Sequence, residues 1–270
     1  MKKGFTLVEL LAVIVILAII ALIATPLVLK YINNSRLRTF ETSIHNVDSA
    51  ADYYVVTQKL KGDSLNEPEV IDVKDLNLDN KDKLAGSITI YNVNGKNSIS
   101  YNNVTDGNYI IKGDNNNKII VDINSVKQPI LLANNDTVII DSYKHYVYGI
   151  DNIRNFESQF KVIDGNVDFV KSSQGVYGTG AQINVKKDGK TTETYSVIIF
   201  GDVNGDGAID AFDSIEVSLA VNKNTQLEAY KLLAADLNRN GKLDEEDSDL
   251  LRKVVQFKCS INQRSGKTNC

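Results

Sequence analysis

The chain has 270 residues, a formal net charge of −4 and a pI near 5.3. That length accommodates two or three small domains, and the acidic balance argues against nucleic acid as the main partner. The two cysteines, Cys259 and Cys270, both lie at the extreme C-terminus, where they either close a small disulfide loop or stay as exposed thiols.

Residues 1–25 read MKKGFTLVELLAVIVILAIIALIAT. From Phe5 to Thr25 there are 21 residues with a single charge, about 32 Å as helix and enough to cross a bilayer core. A cleaved secretory signal would have a shorter apolar region and a clearer small-residue site than Ala21-Leu22-Ile23-Ala24. A plain membrane anchor fits the length but leaves Glu9 unexplained, because a carboxylate inside an apolar helix costs roughly 2.5–3.5 kcal/mol. The segment KKGFTLVELL resembles the type IV prepilin leader. That resemblance implies cleavage by a prepilin peptidase between Gly4 and Phe5, methylation of Phe5, and pairing of Glu9 with the amine of a neighbouring pilin subunit. Pro26 then falls where many pilin helices carry a proline. Lysines and arginines on both sides of the span (Lys2, Lys3, Lys30, Arg36, Arg38) leave orientation open.

Beyond the span, Phe40, Ile44, Val47, Ala51 and Tyr54 recur in steps of four and three, one apolar stripe on a polar helix that Gly62 ends. A helix from Phe5 to Lys61 would be about 85 Å long, the stalk of a pilin. Residues 63–125 are polar and strand-like. In SITIYNVNGKNSISYN, Asn94-Gly95 signals a tight hairpin whose register sets Ile90 opposite Ile99 and Ile88 opposite Tyr101, one dry face to pack on the stalk. A second strand pair is predicted at Tyr109–Lys112 and Lys118–Ile123. Residues 126–198 read as a separate β-rich unit with strands at Thr137–Asp141, Tyr146–Ile150, Phe160–Ile163, Val167–Val170, Ala181–Lys187 and Lys190–Phe200; Asp188-Gly189 turns the last pair. Its wording resembles the β-domain that often precedes dockerins.

The most specific pattern is GDVNGDGAIDAFD, with a second version, ADLNRNGKLDEED, 34 positions later. Oxygen-bearing side chains stand at loop positions 1, 3, 5, 9 and 12: Asp202, Asn204, Asp206, Asp210 and Asp213, then Asp236, Asn238, Asn240, Asp244 and Asp247. Position 6 is Gly207 or Gly241, and position 7 (Ala208, Lys242) offers a carbonyl. Alternating oxygens around a glycine turn are the calcium-loop pattern, so two calcium ions are expected. Helices are predicted after each loop, at Asp213–Val221 and Asp247–Phe257. The linker Thr225–Ala235 reads as a third helix with a capping box of Thr225 and Glu228. A strand rather than a helix enters the first loop, which excludes a paired EF-hand.

From Phe200 to about Phe257 this arrangement resembles the dockerin module, which implies a cohesin-bearing partner and, by association, polysaccharide degradation outside the cell. Dockerins often present similar pairs of residues in both repeats at loop positions 10 and 11. Here these are Ala211-Phe212 and Glu245-Glu246, followed by Ser218-Leu219 and Arg252-Lys253. The two faces differ, so docking is expected through one repeat, the first, with Phe212 as anchor unless it packs in the core. No catalytic constellation stands out: the histidines are His45 and His145 alone, and the strands are too short for a typical catalytic barrel. The expectation is a non-enzymatic, α+β multidomain chain. Its parts are a leader (1–4), a transmembrane stalk helix (5–61), a small β head (62–125), a β-rich, sandwich-like domain (126–198), an all-α dockerin (199–257) and a tail (258–270). It would be a single-pass protein of the cytoplasmic membrane with its C-terminal part outside. Two roles follow: a filament-forming pilin subunit that displays the dockerin, or an anchored adhesin or cellulosome-like attachment module that does not polymerise.

Overall fold

A computed structural model of the chain describes residues 7–62, 68–79, 81–93, 96–125, 128–135, 137–150, 153–223 and 226–270. Gly4, Phe5, the Asn94-Gly95 turn and Thr225 lie outside them. The chain forms two compact units, Met1–Asn46 and Val47–Cys270. The boundaries expected near 125 and 198 therefore fall inside one unit.

Helix α1 runs from Leu7 to Leu60. Pro26 lies within it and does not end it; the hydroxyl of Thr25 donates to the Ala21 carbonyl at 2.6 Å and so is satisfied inside the helix. Up to Leu29 its large apolar side chains are exposed, and it is long and apolar enough to cross a membrane by length and composition. Phe40 and Ile44 are buried in the first unit's part of the helix.

In the second unit Val47, Ala51 and Val55 are buried, so the stripe ends on Val55 rather than Tyr54. The Tyr54 hydroxyl instead donates to Glu69 Oε1 at 2.7 Å. The first sheet is an antiparallel meander of β1 (Glu69–Asp72), β2 (Ala85–Val93), β3 (Lys96–Thr105), β4 (Tyr109–Gly113) and β5 (Lys118–Asp122). Ile88 pairs with Tyr101 and Ile90 with Ile99, all buried, which is the register the Asn-Gly turn predicts. The Tyr101 hydroxyl and Lys118 both meet Asp48 on α1.

The opposite face of this hairpin is buried too. Ser87, Thr89, Ser100 and Asn102 form a polar seam, not a wet surface. It belongs with β6 (Ile130–Ala133), β7 (Ile139–Asp141) and β8 (Tyr146–Tyr148), the first strands of the second β region. Asp141 accepts from Ser100 Oγ at 3.0 Å and from the Tyr91 hydroxyl, and Thr89 Oγ1 lies 3.2 Å from the Tyr148 hydroxyl. Burial raises the Tyr91 and Tyr148 phenols, which keeps both as neutral donors.

The remaining strands are β9 (Phe160–Ile163), β10 (Asn166–Val170), β11 (Gln182–Lys187) and β12 (Lys190–Val197). The second sheet has the order β10-β11-β12-β8-β7, with β12 and β8 parallel, while β6 and β9 form a separate two-stranded ribbon. Asp188 and Gly189 both take positive φ at the β11–β12 turn, as an Asp-Gly hairpin requires. The core beneath holds Ile183, Val185, Tyr195 and Val197, and Phe156 stacks on Tyr177 at 4.5 Å.

Three helices follow: α2 (Ala211–Lys223), α3 (Ala229–Ala235) and α4 (Glu245–Val255). The capping box expected at Thr225 and Glu228 is not what starts α3, because Glu228 is its N-cap and makes no side-chain cap bond. A capping box does start α4, between Asp244 and Asp247. The tail is ordered rather than trailing. It forms the hairpin β13 (Ser260–Ile261) and β14 (Thr268–Asn269), closed by the Cys259–Cys270 disulfide. Arg264 forks onto Asp72 at 2.6 and 3.2 Å, and Gln263 bonds both the N–H and the carbonyl of Phe200.

Candidate metal centre

The two repeated loops share most of their backbone hydrogen bonds. Asp213 Oδ1 accepts the N–H groups of Val203 (2.8 Å) and Asn204 (3.0 Å), and Oδ2 accepts Asp210 N–H (2.9 Å). Asp247 does the same with Leu237 (2.9 Å), Asn238 (3.1 Å) and Asp244 (3.0 Å). The position-12 aspartate thus closes each loop and places it on the first turn of the following helix. Gly207 and Gly241 both have φ of +81°, and each donates its N–H to the position-1 aspartate, Asp202 or Asp236, at 3.1 and 2.9 Å. Only glycine takes that φ without cost, which is why the motif holds it at position 6.

The intermediate positions fold inward on the same plan. Asn204 Oδ1 and Asn238 Oδ1 accept the N–H of Asp206 and Asn240, whose own side-chain oxygens accept Ala208 N–H and Lys242 N–H. Asp210 and Asp244 accept Phe212 N–H and Glu246 N–H. Ile209 and Leu243, the position-8 residues, pack on one core with Val203, Val217, Leu237 and Leu251. The side-chain oxygens at positions 1, 3, 5, 9 and 12 thus accept matching backbone N–H groups in the two loops.

Asp202, Asp213, Asp236 and Asp247 are buried carboxylates, an expensive placement for charge without a counter-ion. Burial pushes Asp202 up to about 6, with the charge of Asp213 adding to the rise, and it raises Asp213, Asp236 and Asp247 above the usual carboxylate range. Backbone N–H donors oppose the rise without cancelling it. Asp236 Oδ1 is buried with no hydrogen-bond partner among the described residues. An orphaned carboxylate oxygen facing a loop rich in oxygen fits a hard cation such as calcium, which takes six to eight oxygen ligands. Among the described residues no three acidic, histidine or cysteine side chains form a metal cluster by themselves, so Asn204 and the Ala208 carbonyl in the first loop, and Asn238, Asn240 and the Lys242 carbonyl in the second, would have to complete each shell.

Two structural partners of these loops were not legible in the sequence. Arg239, at loop position 4 of the second repeat, has φ of +61° and sets its guanidinium over the Phe200 ring at 4.8 Å. The Thr179 N–H donates to Asp202 Oδ2 at 2.8 Å from a different part of the chain.

The candidate partner-binding residues lie on α2, α4 and the turns that open them. Phe212 is 69% exposed, so it does not pack in the core. Ala211, Leu219, Glu245, Glu246, Arg252 and Lys253 are exposed, and Ser218 is half-buried, its hydroxyl 2.8 Å from that of Ser248. Glu9 lies in the first turn of α1.

Residues 1–25 match the family model for the prokaryotic N-terminal methylation motif, and residues 200–256 match that for the dockerin type I domain. No curated protein and no solved structure matches the chain. The two matched stretches are the ends already singled out by the apolar span and by the repeated loops. The chain therefore carries a type IV prepilin-like methylation motif at its N-terminus and a dockerin type I domain at its C-terminus.

Proposed function

We propose that this chain is a membrane-held, type IV pilin-like subunit whose dockerin, loaded with two calcium ions, captures a cohesin-bearing protein outside the cell. The observation that carries docking is on α2. Phe212, Ile215 and Leu219, at helical spacings of three and four, leave an apolar stripe exposed. At the matching positions of the second repeat stand Glu246, Asp249 and Lys253, all charged and exposed. An aromatic and two aliphatic side chains held in water on a rigid helix make a ready anchor, whereas a charged face does not. Docking through the first repeat alone follows, and the reading gives the chain no catalytic step.

The test is capture of isolated cohesin modules by the full chain in detergent micelles with calcium. Phe212→Ala or Leu219→Ala should weaken capture by about tenfold or more, and changing Glu245 and Glu246 together to Ala should leave it nearly unchanged. Equal harmlessness of both changes refutes docking.

A second reading, a structural pilin in which calcium only stabilises the tip, is supported by the packing of dockerin and sheets into one unit. Filaments that incorporate the chain but capture no cohesin would favour it.

The stalk half of the proposal makes its own predictions. In a host with a prepilin peptidase the Gly4–Phe5 bond is cut and Phe5 methylated, and Gly4→Leu should abolish the cut because the site has no room for a side chain. Chains of unchanged mature length from Gly4→Leu cells would contradict it. Glu9→Val should leave membrane insertion intact, or improve it, while abolishing assembly. Wild-type filament yield from Glu9→Val cells would assign the carboxylate another role.

A further inference from the structure

The two calcium loops are near copies, yet what lies against them differs. The loop between β10 and β11 lies flat on the first of them. Thr179 N–H reaches Asp202 Oδ2 at 2.8 Å, and the Ser172 hydroxyl donates to the Gly205 carbonyl at 2.6 Å. The backbones touch. A Cβ on Gly178 would stand 2.4 Å from the Gly205 carbonyl oxygen and 2.7 Å from Gly207 N. Thr179 is tied back to the segment that follows β12, its hydroxyl exchanging bonds with the backbone of Ile199. At the second loop Gly241 has open space where a Cβ would go.

The position-1 carboxylates differ in where their donors come from. Asp202 accepts three N–H groups, two from its own loop (Gly205, Gly207) and one from Thr179. Asp236 accepts from Gly241 and has the N–H groups of Arg239 and Asn240 beside it, all from its own loop, and no donor from outside the dockerin reaches it among the described residues. A carboxylate has about four lone-pair directions, so Asp202 arrives with one left and a fixed orientation. That is what a single metal bond from a pre-set ligand needs, and donors behind a ligand commonly govern metal affinity.

We propose that the first calcium site is composite: the β10–β11 loop, outside the dockerin, positions Asp202 through Thr179 N–H and supports the Gly205 turn through Ser172, while no outside donor reaches the position-1 aspartate of the second site. This rests on the reading of both loops as calcium sites. Calcium in the first loop and order in residues 172–180 are then linked, so each stabilises the other. Thr179 and Ser172 are positioning residues here, not ligands.

The experiment is a calcium titration of the full chain in detergent micelles, read by calorimetry and by amide hydrogen exchange. In the unaltered protein, calcium should slow exchange across residues 172–180 as well as in the loop. Gly178→Ala, which pushes the β10–β11 loop off the Gly205–Gly207 turn, should weaken the first site about 10- to 100-fold and leave the second within about twofold. Ser172→Ala should weaken the first site by less. Calcium uptake at both sites with no change of exchange in residues 172–180 overturns the composite site and leaves the calcium reading standing. Equal loss at both sites in Gly178→Ala also overturns it, and no uptake by the unaltered chain overturns both.

Discussion

Removing calcium should unfold the dockerin. Four buried carboxylates and several further side-chain oxygens are gathered in two small loops, and without a cation their desolvation is offset only by backbone donors. A ligand at 100 times its Kd stabilises a fold by about 2.7 kcal/mol per site. Two such sites amount to about 5 kcal/mol, a large share of the roughly 5–15 kcal/mol that holds a domain together. In excess chelator the amides of Val203, Asn204, Leu237 and Asn238, which bond the position-12 aspartates, should lose their exchange protection, and added calcium should restore it. Asp202→Ala should do more damage than Asp236→Ala. The first loop has four carboxylates against three, because Asn240 stands at position 5 of the second, and affinity rises with ligand charge. The pH dependence of the metal-free protein has a definite sign. A carboxylate raised in the folded state, as Asp202 is to about 6, favours the fold when protonated. That contribution is complete below its unfolded-chain value and is lost as pH rises through about 6. The metal-free loops should therefore be more stable at pH 4 than at pH 7, and the calcium-loaded ones should show the opposite trend. Unchanged protection in chelator would mean that the loops are ordinary turns.

Phe200→Ala should be the most damaging single core change near the dockerin. The ring is buried where three parts of the second unit meet. It packs edge-on against Tyr148 of the sheet at 5.7 Å, carries the Arg239 guanidinium of the second loop at 4.8 Å, and lies against Gly266 of the C-terminal hairpin. A Cβ on Gly266 would approach the ring to 2.9 Å, so the contact is as close as backbone allows. Truncation removes the ring from all three and should cost about 3–5 kcal/mol. Denaturant unfolding of the calcium-loaded protein measures it. Phe257→Ala is the control: that ring is 97% exposed, and its loss should change stability by less than about 0.5 kcal/mol. Similar values for the two would contradict the placement of Phe200 as the joint between sheet and dockerin.

The sequence spoke clearly where local chemistry decides. Asn94-Gly95 in the sequence predicts a register, and the pairs Ile88–Tyr101 and Ile90–Ile99 follow it. The oxygen-rich loops repeat because the spacing of their side-chain oxygens and the glycine turn leave few alternatives. It misled where tertiary contact decides. Ser87, Thr89, Ser100 and Asn102 alternate with the apolar residues and read as a wet face, yet Asp141 and Tyr148, about 40 and 60 residues away, satisfy the hydroxyls of Ser100 and Thr89 and let the face be buried. The same cause hid the role of the tail: nothing near Arg264 in sequence points to Asp72. Thr179 likewise carries no motif, since what it contributes to Asp202 is a backbone N–H. Strands β1 and β6 escaped for different reasons: EVID has apolar side chains only at its centre, and ILLA has no alternation to set a strand apart from a turn of buried helix.

Intact-protein mass spectrometry of the chain taken from its own membranes, under conditions that keep bound metal, tests both ends at once. The account predicts a chain that lacks Met1–Gly4, carries one added methyl group on Phe5 and binds two calcium ions that chelator removes. A chain that keeps Met1, or one that carries no calcium, would contradict it.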